Sequence, residues 1–135
     1  MKLADCPFCN CPPQDVVLHN ELCYARFDKF PVSKGHILII PYRHFDSYFD
    51  SQHEEKLALL ALVDETKILV DKKFAADGYN LGINIGQYAG QTIMHLHMHL
   101  IPRYKGDVED PSGGVRGVIP NNRHPWLTKS GTKSL

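Results

Sequence analysis

From position 95 the chain reads His95-Leu96-His97-Met98-His99-Leu100-Ile101, histidine and an apolar residue alternating without a break. In an extended strand successive side chains point to opposite faces. The three imidazoles then line one face about 6.6 Å apart along the strand, while Leu96, Met98 and Leu100 turn toward a core. A helix would spread the same residues around its circumference and nothing would converge. The alternation predicts a strand that begins near Thr92 and runs to Pro102, with one face committed to packing and the other to chemistry.

Similar periodic signals place the remaining elements. Val16 to Leu18 and Leu22 to Phe27 read as a hairpin about His19-Asn20-Glu21, because asparagine tolerates turn backbone. Gly35-His36-Ile37-Leu38-Ile39-Ile40-Pro41 is β-branched, apolar and bounded by glycine and proline, the pattern of a central, buried strand. Ser51-Gln52-His53-Glu54 has the spacing of a capping box, and Leu60, Val63, Lys67, Val70 and Phe74 follow at helical spacing with Leu57, Leu59, Leu62, Ile68 and Leu69 beside them. One long helix over 51 to 76 is predicted, stopped at Asp77-Gly78. Tyr79 to Ile85 is a further strand. After Pro102 the periodicity ends, and 106 to 135 is expected to be loop and tail with Trp126 packing down. At 135 residues the chain is sized for one domain, and the element order predicts an α+β fold with a largely antiparallel sheet of five strands, one long helix and an irregular N-terminal arm.

Charge excludes some partners. Fifteen basic residues balance fifteen acidic ones, so no overall field draws the chain to a nucleic acid polymer or an anionic membrane, and an anionic ligand must be held by local groups. The first residues lack the apolar core of an export signal, and no stretch is long enough to cross a bilayer. A cytoplasmic protein is expected. Four cysteines, Cys6, Cys9, Cys11 and Cys23, crowd one end, where disulfides could not staple the rest of the fold. Metal binding or free thiols fit that placement better. Cys6-Pro7-Phe8-Cys9 has the spacing of a redox motif, but no strand precedes it and Pro12-Pro13 follows, so half of a tetrahedral zinc site is the stronger reading.

Three physical readings of the histidine stretch remain: an exposed strand face that is merely histidine-rich, a metal site with three imidazole ligands, and a phosphate site with a histidine nucleophile. The loop just upstream, Gly86-Gln87-Tyr88-Ala89-Gly90-Gln91-Thr92, carries glycine, amide and hydroxyl groups suited to anionic oxygens, which favours the third.

The segment Gly90-Gln91-Thr92-Ile93-Met94-His95-Leu96-His97-Met98-His99-Leu100-Ile101 resembles the signature of the histidine triad family, and the likeness extends to Ala25-Arg26-Phe27-Asp28 and Gly35-His36-Ile37-Leu38-Ile39-Ile40-Pro41, covering residues 5 to 105. It implies a single domain over 1 to 105 that hydrolyses or transfers nucleotidyl groups as a homodimer. By resemblance His97 is the nucleophile, His99 holds phosphate oxygens and His36 orients the triad. Asn84, Gln91 and Thr92 match residues near the phosphate, and Asp28 the group that binds ribose hydroxyls. The chemistry needs no metal. A branch of the family with an N-terminal Cys-x-x-Cys completes a structural zinc site with residues matching His44 and His95. A nucleotide-binding signalling or scaffold protein with little turnover is the alternative the family allows. The base pocket is expected from apolar residues near Leu22 to Phe27 and the helix, and Gly113 to Gly117 as a cover over the leaving-group side.

Overall fold

The structure is a computed structural model that describes residues 3–126. The chain divides into two units, residues 1–103 and 104–135. The first holds a five-stranded sheet, β1 (Leu18–His19), β2 (Cys23–Phe27), β3 (Ile37–Pro41), β4 (Gly78–Ile83) and β5 (Met98–Arg103), with one helix, α1 (His53–Phe74). Strand order is β1-β2-β3-β5-β4 and every pairing is antiparallel.

Each boundary has a local cause. The Asn20 carboxamide oxygen accepts the amides of Leu22 and Cys23 at 3.1 and 2.9 Å, and its nitrogen donates to the Ala58 carbonyl at 2.9 Å. That side chain turns the hairpin and ties it to α1, so the turn falls after His19 rather than around it. The helix starts one residue later than its serine suggests. Ser51 hydrogen-bonds back to Tyr48, and Glu55 instead accepts the Gln52 amide at 2.7 Å. The helix ends at Phe74, where Ala75 takes the left-handed conformation at φ 50°, and Gly78 is the first residue of β4.

The face that α1 buries is also shifted by one residue. Leu59, Leu62, Val63, Thr66 and Val70 are buried, whereas Leu57, Leu60 and Ile68 are exposed. The apolar members of this set pack on Cys23, Ala25, Ile37, Ile39, Met98 and Leu100 of the sheet and on Leu96 just before β5, each large side chain contributing about 1.5–3 kcal/mol. On the opposite face Tyr24, Leu38 and Ile40 meet Cys6, Phe8 and Cys9. With helix on one side and arm on the other, β3 is buried at all five positions, as its unbroken apolar run predicts.

Loop geometry carries one strong constraint. Gly35 lies at φ +83°, and a Cβ there would come 2.8 Å from the Phe74 ring. Gly35→Ala is therefore expected to cost roughly 1–3 kcal/mol, read as a lower thermal midpoint. An unchanged midpoint would show that Phe74 yields freely.

In the second unit, 3-10 turns span Gly114–Val118 and Pro120–Asn122. Arg123 Nε donates to the Ser112 carbonyl at 2.8 Å, and Trp126 packs 5.3 Å from the Arg116 guanidinium. Among the described residues no helix is long and apolar enough to cross a membrane.

Candidate active site and metal centre

The histidine stretch departs from the ladder it was expected to extend. β5 begins at Met98, leaving His95 and His97 outside it. The Leu96 amide donates to the Phe45 carbonyl at 2.6 Å instead of to a neighbouring strand, which bends the backbone out of register. The alternation of faces survives the bend: Leu96, Met98 and Leu100 enter the core under α1, and the imidazoles lie on the other side. No cluster of candidate ligands among the described residues contains all three, so they do not form one metal site.

Backbone partners fix the tautomers, because a carbonyl only accepts and an amide N–H only donates. His97 Nδ1 lies 2.8 Å from the His95 carbonyl, so Nδ1 carries the proton and Nε2 keeps its lone pair. The opposite holds two residues on. The Val32 amide donates to His36 Nδ1 at 3.1 Å, which leaves the proton on His36 Nε2. That nitrogen is 2.9 Å from His99 Nδ1, so His99 accepts there and its own proton sits on Nε2. His99 Nε2 is buried with no hydrogen-bond partner. A lone pair on His97 and an unused N–H on His99 thus come from rings whose centroids are 5.1 Å apart.

Burial, with His97 and His36 alongside, pushes the His99 pKa down to about 4, Asp28 offsetting part of the shift. Burial also lowers His36, again against Asp28, whose carboxylate is 3.4 Å from Nε2. The pair is neutral at pH 7, so His99 offers a neutral N–H. An unfolded histidine titrates near 6.5. Between that value and about 4 the unfolded chain binds more protons, so stability falls as pH drops through this window, by as much as about 3 kcal/mol. Urea unfolding of wild type and His99→Gln between those values should show a shallower pH slope in the variant; parallel slopes would refute it.

The other expected residues distribute unevenly. Asp28 joins His36 and His99 in one cluster. Gln91 is buried, and its side chain is fully engaged with backbone groups: its oxygen accepts the Gly86 amide at 2.9 Å and its nitrogen donates to the Asp46 and Ile93 carbonyls. It braces the loop and has no atom left for a phosphate. Thr92 is exposed, and Asn84 is half-buried with its carboxamide beside Gly90. A cavity of about 140 Å³ opens among Phe8, Leu38, Ile93, Phe30, Asp28 and Arg26. It lies on the arm side of the sheet, and no helix residue lines it.

Cys6, Cys9, His44 and His95 bring their ligand atoms within 4.8 Å of one another. Cys6 Sγ is 3.4 Å and Cys9 Sγ 3.6 Å from His95 Nδ1, Cys9 Sγ is 3.3 Å from His44 Nδ1, and the two Nδ1 atoms are 3.1 Å apart. Tetrahedral zinc with Zn–S of about 2.3 Å and Zn–N of about 2.0–2.1 Å separates neighbouring ligand atoms by about 3.3–3.8 Å, so the residues fit that ion. His95 Nε2 is 2.8 Å from the Pro41 carbonyl, which puts the proton there and turns the Nδ1 lone pair toward the thiols.

Phe8 is the residue whose role the sequence did not signal. Its ring packs edge-on against both His95 and His97, at 5.9 and 5.0 Å, and Tyr24 Oη holds its carbonyl at 2.5 Å. Its place inside Cys6-x-x-Cys9 was the available clue.

The model of the HIT domain matches residues 11–106. An uncharacterised HIT-like protein of Methanocaldococcus jannaschii is 39% identical over 97 residues, 72% of this chain and 74% of that protein. The bis(5'-adenosyl)-triphosphatase of Dictyostelium discoideum is 34% identical across 82% of this chain and 74% of its own. Among solved structures, a zinc-bound histidine triad family protein from Mycobacterium smegmatis superposes with a TM-score of 0.70 at 30% identity, covering 78% of this chain and 80% of that one. The tautomer-fixed histidines, the five-stranded sheet and these matches together place the chain in the HIT, or histidine triad, family.

Proposed function

We propose that this chain is a nucleotide hydrolase or nucleotidyl transferase, cleaving a phosphoanhydride or phosphoramidate through a covalent nucleotidyl-His97. The observation that carries the proposal is the opposed protonation of His97 and His99. His97 Nε2 attacks phosphorus, and the bond from phosphorus to the leaving group breaks, with its electron pair leaving on that group. Water then attacks phosphorus, the P–Nε2 bond breaks with its electron pair returning to His97, and the surplus proton of the water passes to solvent. Nδ1 keeps its proton and donates it to the His95 carbonyl throughout, so ring orientation is preserved in both steps. His99 Nε2–H donates to a non-bridging oxygen as negative charge builds there, and His36 holds His99 in that tautomer. Asp28 accepts from ribose hydroxyls. Asn84 and Thr92 flank the phosphate, and Gln91 shapes their loop.

Cys6, Cys9, His44 and His95 bind zinc in this reading. The ion is structural, pinning a proline-rich arm that cannot join the sheet, and no step of the reaction passes through it. The triphosphatase among the relatives supports a dinucleoside polyphosphate or nucleotidyl conjugate as substrate. A panel of such substrates read by product identity, with mass detection of an adduct on His97, tests the reaction; no adduct and no turnover on any of them would overturn it.

The chain acts as a homodimer. β4 is an edge strand with Leu81 exposed, and α1 shows Leu57, Leu60 and Ile68 to solvent, surface that pairing would cover. Sedimentation is expected to give twice the 15.3 kDa chain mass; a monomer at micromolar concentration would refute the pairing.

A further inference from the structure

Arg26 is only 4% exposed, and a guanidinium that deep normally has oxygen acceptors around it. Here Nη1 donates to the Cys11 thiol at 3.5 Å, a weak acceptor, and Nη2 lies 3.7 Å from the Asp15 carboxylate, beyond hydrogen-bond distance. Among the described residues no oxygen sits within hydrogen-bond reach of this cation. Its place in the sheet gives the reason a meaning. Arg26 of β2 is opposite Leu38 of β3, and Leu38 is opposite His99 of β5. One row across three strands, two spacings or about 10 Å long, therefore runs from the triad to the guanidinium, with the cavity walled by Phe8, Leu38, Ile93 and Phe30 beside it. Phe30, 86% exposed, stands at the rim.

We infer that Arg26 reads the base, so that this site takes 6-oxopurine nucleotides, guanine or hypoxanthine, in preference to adenine. The inference rests on the nucleotide reading above and names its substrate class. With phosphate at His97 and His99 and ribose at Asp28, the base lies among the apolar walls. Its far edge meets a group that has five donors, no acceptor and a permanent charge. Guanine and hypoxanthine present O6 and N7, two acceptors spaced for the guanidinium fork. Adenine presents N7 beside an N6 amino group, whose hydrogens face the same donors and find nothing to accept them. Cys11, unassigned by the sequence, accepts from Nη1 without neutralising the charge, leaving the remaining donors for the ligand.

Calorimetry on the full chain with GMP, IMP, AMP and 7-deaza-GMP tests this. GMP and IMP are expected to bind about tenfold or more tightly than AMP, and loss of N7 in 7-deaza-GMP to forfeit several-fold of that advantage. Arg26→Met should bring GMP and IMP down to the AMP level. Equal affinities for GMP and AMP in the wild type would overturn the inference. So would an Arg26→Met protein that weakens all nucleotides in common and keeps their ratio, the signature of an arginine that only pins the arm. If Arg26→Met fails to fold, the 7-deaza-GMP comparison on wild type decides. A protein that binds none of the four loses the nucleotide reading as well, an outcome distinct from tight but indiscriminate binding.

Discussion

His97→Asn is expected to lower turnover by roughly 10,000- to 1,000,000-fold, while a nucleoside monophosphate still binds. The size follows from what the residue supplies. A nucleophile in a two-step displacement is used in both steps, and its removal leaves only binding and electrostatic stabilisation, which together retain a small remnant of the rate. Asparagine keeps a side-chain N–H that can reach the His95 carbonyl, now accepting from His97 Nδ1 at 2.8 Å, so the fold and the phosphate subsite remain. His99 keeps its unpartnered Nε2–H, and monophosphate affinity should change by no more than about threefold. Turnover and binding therefore separate in this variant. Full activity would remove His97 as nucleophile, and loss of binding together with activity would point to collapse of the site.

Loss of the metal centre is the second large effect. Protein purified without a histidine tag should carry one equivalent of zinc, and Cys9→Ser should lower stability by at least about 3 kcal/mol, roughly 10 °C in Tm at this chain length. Metal-binding free energy becomes folding free energy where the ligands are scattered in the unfolded chain, as Cys6, Cys9, His44 and His95 are. Without the ion, two buried thiols and two imidazoles face one another at 3.1–3.6 Å with no charge to organise them. Under about a tenth of an equivalent of metal, with Cys6 and Cys9 reacting freely with thiol reagents, would refute the site.

Much of this arrangement was legible in the sequence, for reasons that differ by residue. Alternation at 95–101 marks which side chains share a face, a property that depends only on extended backbone, so it held even where the ladder ended at Met98. It could not reveal that ending, because the Leu96 amide leaves the sheet for Phe45, a partner fixed by the loop after β3. The buried stripe of α1 slipped for a similar reason: apolar residues surround the helix, and only the sheet selects Leu59 and Leu62 over Leu57 and Leu60. Gln91 was legible as a loop residue and illegible as a brace, since one carboxamide serves either a ligand or three backbone groups. Arg26 looked like an ordinary strand residue until register put it in line with Leu38 and His99.

The arm supplies two of the four proposed zinc ligands and, through Phe8, a wall of the cavity and an edge contact to His97. In the proposed reading metal and nucleotide then act on one segment, the ion through Cys6 and Cys9 and the nucleotide through Phe8 between them. By thermodynamic reciprocity, whatever factor the ion adds to nucleotide affinity by fixing Phe8, the nucleotide returns as tighter binding of the ion, so at equilibrium a competing chelator should strip half of the occupied protein only at a higher concentration than the empty one.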